Sequence, residues 1–355
     1  MMKALITAGG HGTRLRPITH TQNKHLIPIA NKPILSYALE YVRDAGIKQV
    51  GIITNKAGAE VKEAYGNGRK MGLSITYIPQ EKPAGLADCV KIAQSFIGDE
   101  PFVFYLGDNI IVGGIKRFIA EFQSCQSNCH LVLAKVPDPE RFGVPEIRNG
   151  KIVKVEEKPK LPKSDYAVTG IYLYDRTIFE AVNSIQPSRR GELEISDAHQ
   201  YLINKGLKVT YSEITGWWKD TGKPYDLLEA NRLVLDNITA DVKGKVDSHS
   251  VISGRVVIGE GAEIQNSNIR GPAIIGAGTR IVHAYIGPYT SIERNCLIQN
   301  SEVEFSIISE NCKIINQKIR IESSLLGKNV VISEAKSQPF TNRFIIGDQS
   351  IIEIR

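Results

Sequence analysis

The hydrophobic positions of the chain follow two different patterns, which change near residue 238. Before that point, short apolar runs alternate with stretches in which apolar residues recur every three or four positions, and this alternation predicts strands interleaved with helices. Since the strand runs are continuously apolar, we expect a Rossmann-like α/β domain with a mostly parallel sheet that helices cover on both faces. The predicted strands span residues 3–8, 49–54, 74–78, 102–106, 129–136 and 168–174, and the predicted helices span residues 33–44, 57–66, 86–96 and 114–123.

After residue 238 the pattern shortens to repeated units of about six residues, in which an aliphatic residue precedes a small one. Such a repeat is typical of a parallel β-helix whose aliphatic side chains point inward. The copies include Val257-Ile258-Gly259, Ile274-Ile275-Gly276, Tyr285-Ile286-Gly287, Ser306-Ile307-Ile308, Leu325-Leu326-Gly327 and the partial copy Ile345-Ile346-Gly347. We therefore predict one domain over residues 1–238 and a second, all-β domain over residues 239–355, in which residues 337–355 form a closing cap with a final strand.

A glycine-rich segment directly follows the first predicted strand. Gly9, Gly10 and Gly12 lie close together there, and the cations Arg14 and Lys24 follow them. Backbone amides that no Cβ shields can approach a polyanion closely, and arginine and lysine supply the countercharge. The segment therefore predicts a phosphate-binding loop, although its spacing matches neither the Walker A motif nor the Rossmann fingerprint.

Together with the residues that follow it, this loop resembles the signature of the sugar-nucleotide pyrophosphorylases, which join a sugar 1-phosphate to a nucleoside triphosphate. The matching pattern is Gly-Gly-x-Gly-Thr-Arg-Leu-x-Pro-x-Thr, then Lys24, then Pro-Ile-x-x-Lys-Pro. The resemblance implies catalytic roles for Arg14, on the leaving pyrophosphate, and for Lys24, on the α-phosphate and the attacking phosphate. It also implies nucleotide contacts from Ala8, Gly9, Gly10, Gly12, Thr13, Gln80, Pro83, Gly85 and Gly107.

Two acidic segments resemble the metal-binding segments of the same family. Asp108 follows the predicted strand 102–106 in Leu-Gly-Asp-Asn, and Asp220 lies in Trp-x-Asp-Thr-Gly. Mg²⁺ prefers hard oxygen ligands and is commonly held by one or two carboxylates beside substrate phosphates. Taken singly, each residue is also consistent with an aspartate in a turn. The family resemblance implies that both bind Mg²⁺.

The candidates for recognition of the base and the sugar rest on the same resemblance. In the family, a glutamine ahead of Pro-x-Gly-Leu-Ala reads the pyrimidine edge, and Gln80 has that position. Its amide offers both the donor and the acceptor that a uracil-type edge requires. The segments Gly-Val-x-Glu, Glu-Lys-Pro and Thr-Gly-x-Tyr imply the sugar pocket, although Pro145 stands where many relatives have valine. The implied sugar-phosphate-binding residues are Asn109, Gly143, Glu157, Lys158, Thr169, Gly170 and Tyr172.

Composition and charge narrow the class of partner. The chain of 355 residues is 42% hydrophobic and 23% charged, with a net charge of +6. Its lysines and arginines are scattered and form no stripe with interleaved aromatic residues, which favours an anionic small molecule over nucleic acid. No apolar run approaches the ~18–20 residues of a membrane helix, and the N-terminal stretch is too short for a signal peptide. We therefore expect no membrane partner. Since the five cysteines are irregularly spaced, we also expect reduced thiols and a cytoplasmic location.

Within the family, the chain is most similar to the long thymidylyltransferase branch, which carries a C-terminal left-handed hexapeptide β-helix. This resemblance implies that the protein transfers a nucleotidyl group from dTTP to glucose 1-phosphate with the help of Mg²⁺. It also implies a homo-oligomer, with a trimer favoured. Because no candidate residue lies beyond Asp220, we expect the β-helix to serve stability and assembly and to be dispensable for the chemistry.

Three alternative functions stay open on the sequence. A uridylyltransferase or a mannose-1-phosphate guanylyltransferase would share the loop and the repeat, although Gln80 favours a pyrimidine over guanine. A bifunctional enzyme would carry an acetyltransferase in the β-helix, where His283 is the candidate general base. A non-catalytic regulatory homologue is the third alternative, and the intact set of catalytic and metal-binding candidates argues against it.

Overall fold

The computed structural model describes residues 1–55, 58–335 and 342–354 of the chain. In these residues it contains an α/β portion with a mixed sheet, followed by stacked parallel strands. The fold class predicted from the sequence is therefore confirmed. The helices span Ile34–Asp44, Ala59–Tyr65, Leu86–Ile92, Gln94–Ile97, Lys116–Cys125, Ile178–Ser184, Ile195–Asn204 and Pro224–Leu235.

The main sheet is parallel at its centre and antiparallel on one side. Lys3–Thr7 pairs in parallel with Gln49–Thr54 and Phe102–Leu106, while Tyr166–Tyr174 joins Phe102–Leu106 in the antiparallel sense. Since parallel strands end at the same edge, the residues that follow these central strands lie together, as in other α/β sheets. From edge to edge the strands are Lys151–Glu157, Gly143–Arg148, Tyr166–Tyr174, Phe102–Leu106, Lys3–Thr7, Gln49–Thr54 and Ser74–Pro79. Cys129–Lys135 also pairs with Tyr166–Tyr174, and Val209–Glu213 pairs with Cys129–Lys135.

Each face of this sheet is covered by a separate hydrophobic core. Leu5 and Phe104 point into the core on one face, together with residues of helix Leu86–Ile92. Ile6 and Tyr105, their neighbours along the strands, point into the core that contains helix Ile34–Asp44. All four side chains are fully buried, because strands covered on both faces bury successive residues on alternate sides. The two cores fix the central strands and hence their ends.

The predicted secondary structure agrees closely with the observed elements where the apolar pattern is strong. The strands Gln49–Thr54 and Phe102–Leu106 have the predicted bounds, and the others differ at their ends. The predicted helix 86–96 is interrupted at Ala93. The predicted helix 57–66 is observed as Ala59–Tyr65, and its predicted first residue lies outside the described residues. Helices Ile178–Ser184, Ile195–Asn204 and Pro224–Leu235 are elements that the pattern did not reveal.

The repeats form the three parallel sheets of a β-helix within the described residues. Aliphatic residues such as Ile275, Ile292 and Ile308 stack in its buried core. The first sheet contains Asp241–Val242, Val256–Ile258, Ala273–Ile275, Thr290–Ile292, Ile307–Ile308 and Leu325–Leu326. The second contains Lys245–Val246, Glu263–Gln265, Arg280–Val282, Leu297–Gln299, Lys313–Ile315 and Val331–Ser333. The third contains Val251–Ser253, Asn268–Arg270, Tyr285–Ile286, Glu302–Glu304 and Ile321–Glu322.

Residues with a left-handed backbone form the corners between these short strands. One corner column contains Asn266, His283 and Asn300, which have φ angles of 51°, 49° and 47°. Asparagine and histidine tolerate this conformation better than most non-glycine residues. The column explains why asparagine recurs in the repeats at positions where glycine is absent.

The final strand predicted for the closing cap is not observed in the part of residues 337–355 that the structure describes. Residues 342–354 contain no strand, while residues 336–341 and 355 lie outside the described residues. Ile345 is 98% exposed and Ile351 is 87% exposed, so the late copy of the repeat does not pack as a further coil. The spacing from Leu326 to Ile346 exceeds the spacing between stacked positions in the earlier coils. The segment therefore does not continue the stacking register of the last coil.

The chain forms two compact units, and neither is continuous in sequence. One contains Met1–His11 and Ile34–Asp220, and the other contains Gly12–Pro33 and Thr221–Arg355. The segment Gly12–Pro33, which contains both catalytic candidates, Arg14 and Lys24, therefore belongs to the same unit as the β-helix. The boundary between residues 238 and 239 that separates the two sequence patterns stays a prediction.

Among the helices of the described residues, none is both long and apolar enough to cross a lipid bilayer.

Candidate functional site

The ends of the central parallel strands bring several nucleotide candidates together. The backbone N–H of Ala8 donates to the carbonyl of Ile53 at 2.7 Å, and that of Gly107 donates to the carbonyl of Thr7 at 3.1 Å. A Cβ on Gly107 would overlap the Thr7 carbonyl oxygen, so this position requires glycine. Ala8 and Gly107 therefore lie at one edge of the sheet, where the sequence predicts the nucleotide.

The predicted metal ligands are brought together by a short pairing of strands. Asn109–Ile111 pairs in the antiparallel sense with Trp218–Asp220, which sets Asp220 opposite Asn109, the residue after Asp108. Asp108 is only 9% exposed. Two acidic residues that are far apart in sequence thus reach the same edge of the sheet.

The side chain of Asn109 links the two halves of this arrangement. Its Nδ2 donates to Asp108 Oδ1 at 2.9 Å, and its Oδ1 accepts a hydrogen bond from Trp218 Nε1 at 2.7 Å. The ring of Trp218 also packs edge-on against Phe142, with ring centres 5.4 Å apart. Asn109, predicted as a sugar-phosphate ligand, therefore orients the Asp108 carboxylate in this structure.

The carboxylates at this edge suit a hard divalent cation. Asp108 and Asp220 offer oxygen ligands, and the described residues contain no group of three or more His, Cys, Asp and Glu side chains that could hold a metal by themselves. Mg²⁺ typically keeps several waters and uses one or two carboxylates together with substrate phosphates. The donor set therefore fits Mg²⁺ better than metals that need a cage made wholly of protein ligands.

The base-recognition candidates lie at the end of the neighbouring edge strand, Ser74–Pro79. Gln80 donates through Nε2 to Asp88 Oδ2 at 2.8 Å and to the Gly85 carbonyl at 3.3 Å. Gly85 has a φ of 103°, and a Cβ there would overlap the backbone of Leu193. Glycine is therefore required at this position by the fold, and Asp88 orients the amide of Gln80. Pro83 is exposed in the same turn.

A cavity of about 470 Å³ adjoins these residues. Its lining includes Thr54, Asn55, Lys62, Tyr77 and Glu81. Asn55 Oδ1 is buried and has no hydrogen-bond partner among the described residues. No sequence motif indicates Asn55, since an asparagine after a strand is a common turn residue. The cavity adds a buried acceptor next to the nucleotide candidates.

Glu157 is the centre of the predicted sugar pocket. Ser196 Oγ donates to Glu157 Oε2 at 2.7 Å, and burial raises the pKa of the Glu157 carboxyl. Gly143 lies opposite Glu157 in the strand pair, and a Cβ on Gly143 would come within 2.7 Å of Ser196 Oγ. The pocket therefore depends on glycine at 143. Lys158 Nζ lies 3.8 Å from Glu157 Oε1.

An arginine that the sequence analysis missed also faces this carboxylate. Arg190 lies 3.9 Å from Glu157, 2.8 Å from Glu192 and 3.6 Å from Glu194. Glu194 is held in turn by Ser188 Oγ at 2.8 Å. In the sequence, Arg190 is marked only by its position in a pair of adjacent arginines before Gly191. The spacing of that pair does not indicate a contact with Glu157.

The remaining sugar candidates lie inside the sheet. Thr169 is fully buried and donates to the Val132 carbonyl at 2.8 Å. Tyr172 stacks on Phe104 with ring centres 5.7 Å apart, and burial raises its pKa. A Cβ on Gly170 would come within 2.7 Å of the Leu106 side chain. In this structure these three residues pack within the sheet, and their contact with a sugar stays a prediction.

The segment Gly12–Pro33 has its own compact structure, built on three 3₁₀ turns, Thr13–Leu15, Ile18–His20 and Lys24–Leu26. Thr19 Oγ1 donates to the Gly12 carbonyl at 2.7 Å. Gly12 has a φ of 60°, and a Cβ there would come within 3.0 Å of the Cβ of Lys24. The Cβ of Lys24 therefore lies beside Gly12, while Arg14 is exposed.

The histidine considered for acetyl transfer lies at a polar cavity on the β-helix. The cavity has a volume of about 540 Å³, and its lining includes His249, Asn266, His283, Asn300 and Lys318. The His283 Nδ1 and Asn266 Nδ2 atoms are 3.1 Å apart. His283 occupies a corner position that asparagine fills in the neighbouring coils, so a role in the fold accounts for its place.

Comparisons with known proteins identify one family model and several relatives that match the chain. The family model described as nucleotidyl transferase matches residues 3–237. A glucose-1-phosphate thymidylyltransferase from Streptomyces antibioticus is 50% identical over 356 residues, which cover 100% of both chains. One from Streptomyces griseus is 49% identical over 354 residues, which cover 99% of both chains. A crystal structure from Bacillus anthracis, assigned as a glucose-1-phosphate thymidylyltransferase in complex with a sucrose, has a TM-score of 0.64 and 42% identity, covering 68% of this chain and 98% of that chain.

Proposed function

The chain belongs to the nucleotidyl transferase family, and we propose that it is a glucose-1-phosphate thymidylyltransferase, which converts dTTP and glucose 1-phosphate into dTDP-glucose and pyrophosphate. Two thymidylyltransferases that match it over essentially their whole length support this substrate pair. The structural observation that carries the proposal is the pairing of Asp220 with Asn109. It gathers two carboxylates at the strand ends, beside residues suited to a nucleotide.

The proposed reaction needs no nucleophile from the protein. A phosphate oxygen of glucose 1-phosphate attacks the α-phosphorus of dTTP, and the bond from that phosphorus to the pyrophosphate oxygen breaks. The electron pair leaves with pyrophosphate. Catalysis then consists of holding the two substrates in line and neutralising the phosphate charge. Arg14 is assigned to the leaving pyrophosphate, and Lys24 to the α-phosphate and the attacking phosphate.

Asp108 and Asp220 are the residues that would hold Mg²⁺. When bound, the cation neutralises part of the negative charge on the phosphates. Asn109 would keep the Asp108 carboxylate oriented, because its amide already donates to Oδ1. Trp218 would hold that amide in place from the other strand.

Gln80 is proposed to read the pyrimidine edge of the nucleotide. Its Nε2 is directed toward Asp88 and the Gly85 carbonyl, which leaves Oε1 as the acceptor for the N3–H of a thymine or uracil ring. The methyl group that separates these two bases is worth only ~1–3 kcal/mol in an apolar pocket. Discrimination between dTTP and UTP therefore requires a direct measurement.

Glu157 is proposed to accept hydrogen bonds from the sugar hydroxyls, with Lys158 near the sugar phosphate. Charge-assisted hydrogen bonds from hydroxyls to a carboxylate are strong and directional, and they suit a polyol. Ser196 fixes one carboxylate oxygen of Glu157 and Gly143 keeps space beside it. Arg190 lies on the same carboxylate, and it would help to keep Glu157 ionised.

Pyrophosphate release over a matrix of substrates tests the proposal. The nucleotides are dTTP, UTP and GTP, and the sugars are the 1-phosphates of glucose, mannose and N-acetylglucosamine. We expect the highest kcat/KM for dTTP with glucose 1-phosphate. A higher value for UTP or GTP would replace the proposed substrate, and no release from any pair would exclude the proposed activity.

Replacing Gln80 by leucine tests the proposed reading of the base. Leucine has similar bulk but leaves the base edge unpaired, which typically costs ~1–3 kcal/mol. We expect a higher KM for dTTP and a smaller preference for dTTP over GTP, with an unchanged KM for glucose 1-phosphate. The exposed Gln94→Leu variant serves as the control. An unchanged nucleotide preference in Gln80→Leu would mean that other residues read the base.

The cavity at His283 defines a test of the bifunctional alternative. We expect no transfer of acetyl groups from acetyl-CoA to glucosamine 1-phosphate, because His283 fills a corner column that otherwise contains asparagine. His283→Asn should retain both pyrophosphate release and thermal stability, and His283→Ala should retain release with a lower Tm. Acetyl transfer by the wild-type protein that is lost in His283→Ala would contradict this assignment and make the enzyme bifunctional.

We also propose a homo-oligomer, in which a trimer is favoured by the resemblance to other hexapeptide β-helix proteins. Light scattering of the purified protein gives its mass directly. A monomer at micromolar concentration would contradict the proposal.

A further inference from the structure

A buried asparagine in helix Pro224–Leu235 connects three parts of the β-helix unit. Asn231 is fully buried. Its Oδ1 accepts hydrogen bonds from the Ala30 backbone N–H at 2.8 Å and from Ser291 Oγ at 2.9 Å, and its Nδ2 donates to the Tyr289 carbonyl at 3.0 Å. One side chain therefore joins the segment Gly12–Pro33 to a coil of the β-helix.

A second asparagine makes a direct connection to the same coil. Asn31 Nδ2 donates to the Ile292 carbonyl at 2.6 Å. Ala30 and Asn31 form the turn of the small hairpin that pairs Pro28–Ile29 with Lys32–Pro33, and their φ angles are 49° and 57°. The hairpin turn thus has a strained backbone at Ala30. It is held by helix Pro224–Leu235 through Asn231 and by the β-helix through Ile292.

The hairpin begins immediately after the turn that carries Lys24. The Ile27 backbone N–H donates to the Lys24 carbonyl at 3.3 Å, which closes this turn. The stem of Lys24 in turn passes beside Gly12. A change in the conformation of the hairpin would therefore move the backbone of Lys24. The hydrogen bonds of Asn231 are buried, and leaving a buried donor or acceptor unpaired is costly, so these bonds resist opening. Asn31 Oδ1, by contrast, is buried with no hydrogen-bond partner among the described residues.

We propose that the β-helix sets the conformation of the segment Gly12–Pro33 through Asn231 and Asn31, and that Asn231 is a positioning residue for the nucleotidyl transfer. This inference rests on the proposed function, since it takes the roles of Arg14 and Lys24 from it. It revises the expectation that residues beyond 238 are dispensable for the chemistry. They supply no group to the reaction, but they hold the segment that does.

Two variants test the proposal in the full-length protein. Asn231→Leu removes all three hydrogen bonds of the side chain at similar volume. Asn31→Gly removes the bond to the Ile292 carbonyl and keeps a residue that tolerates positive φ. Ser306→Ala is the matched control, because Ser306 is equally buried. Its Oγ accepts from the backbone N–H of Ser324 in the next coil at 3.0 Å and donates to the Glu304 carbonyl at 2.7 Å, and neither bond involves the segment Gly12–Pro33.

Hydrogen exchange and steady-state kinetics are measured for each variant. We expect the amides of residues 24–33, that of Ala30 above all, to exchange at least about tenfold faster in Asn231→Leu, since the acceptor of Ala30 is gone. We expect kcat for pyrophosphate release to fall about 10-fold, because a misplacement of about 1 Å by a distant mutation can cost about 10²-fold and we expect a smaller displacement in this variant. Asn31→Gly should show the same two changes at smaller amplitude.

The outcomes separate positioning from loss of stability. Faster exchange at 24–33 together with a lower kcat in both Asn variants, while Ser306→Ala lowers Tm and leaves kcat unchanged, supports the proposal. Unchanged exchange at 24–33, or faster exchange with wild-type kcat, overturns it. If Asn231→Leu does not fold, Asn31→Gly decides by the same criteria. Absence of pyrophosphate release in the wild-type protein would instead overturn the proposed function, before any variant is made.

Discussion

Replacing Lys24 by alanine is expected to lower kcat for pyrophosphate release by about 10²–10³, the usual effect of removing one preorganised group at a developing charge. Lys24 is half-buried, and its Cβ lies beside Gly12. In the proposed reaction the ammonium of Lys24 neutralises phosphate charge, and alanine removes that charge. Because Lys24 lies in a 3₁₀ turn capped by Asn23, alanine should leave the turn itself intact.

Arg14→Ala should have a similar effect, since Arg14 is exposed in the turn Thr13–Leu15 and contributes little to packing. Lys243→Ala is the control for both variants, because Lys243 is an exposed lysine of the same compact unit, ion-paired with Asp241. Tm measured for all three variants should match the wild type within a few degrees. A Lys24 or Arg14 variant with more than about a tenth of wild-type activity would not be compatible with the catalytic role assigned here.

Asp108→Asn is expected to abolish measurable turnover together with its dependence on Mg²⁺. The amide keeps the shape of the side chain, and its Oδ1 can still accept from Asn109 Nδ2, so the fold should be retained. What it removes is the charge that a hard cation requires. Asp220→Asn should lower activity almost as much, because Asp220 lies opposite Asn109 in the strand pair.

The rate is measured against Mg²⁺ concentration for both variants, with Asp99→Asn as control. Asp99 is an exposed aspartate of the same unit, 3.4 Å from Arg176. The control should reproduce the wild-type curve. If either Asp108→Asn or Asp220→Asn were fully active at low Mg²⁺, that residue would have a structural role only, and the proposed metal site would be wrong.

The sequence predicted those elements whose residues carry a strong local pattern. Phe102–Leu106 was predicted with its observed bounds because every residue of the run is apolar, as befits a strand covered on both faces. The hexapeptide repeat was equally clear. The hairpin Gly143–Arg148 and Lys151–Glu157 was missed, because it combines Pro145 with charged residues and pairs only within itself and one neighbour. Edge hairpins do not need a continuous apolar run.

The arrangement of the candidate site was predictable only in part. A buried strand ending in Gly-Asp indicated that Asp108 lies at an edge of the sheet. Nothing local indicated that Asp220 would pair beside it, since Trp218–Asp220 is too short for periodicity. Thr169 and Tyr172 match the motif but are buried in the sheet, because a motif gives the residue type and not the direction of its side chain. The contacts of Glu157 with Ser196 and Arg190 join distant segments, and no local pattern encodes them.

The discontinuous makeup of the two compact units has a consequence for biosynthesis. The segment Gly12–Pro33 leaves the ribosome early, but the acceptor of Ala30 is 201 residues further along the chain and that of Asn31 is 261 residues further. Contacts of such long separation form late in folding, and domains are otherwise completed from the N-terminus during synthesis. We expect nascent chains that stop short of Ile292 to lack a fixed conformation of the segment Gly12–Pro33, so that an incomplete product of translation would turn over nucleotide more slowly than the full-length protein.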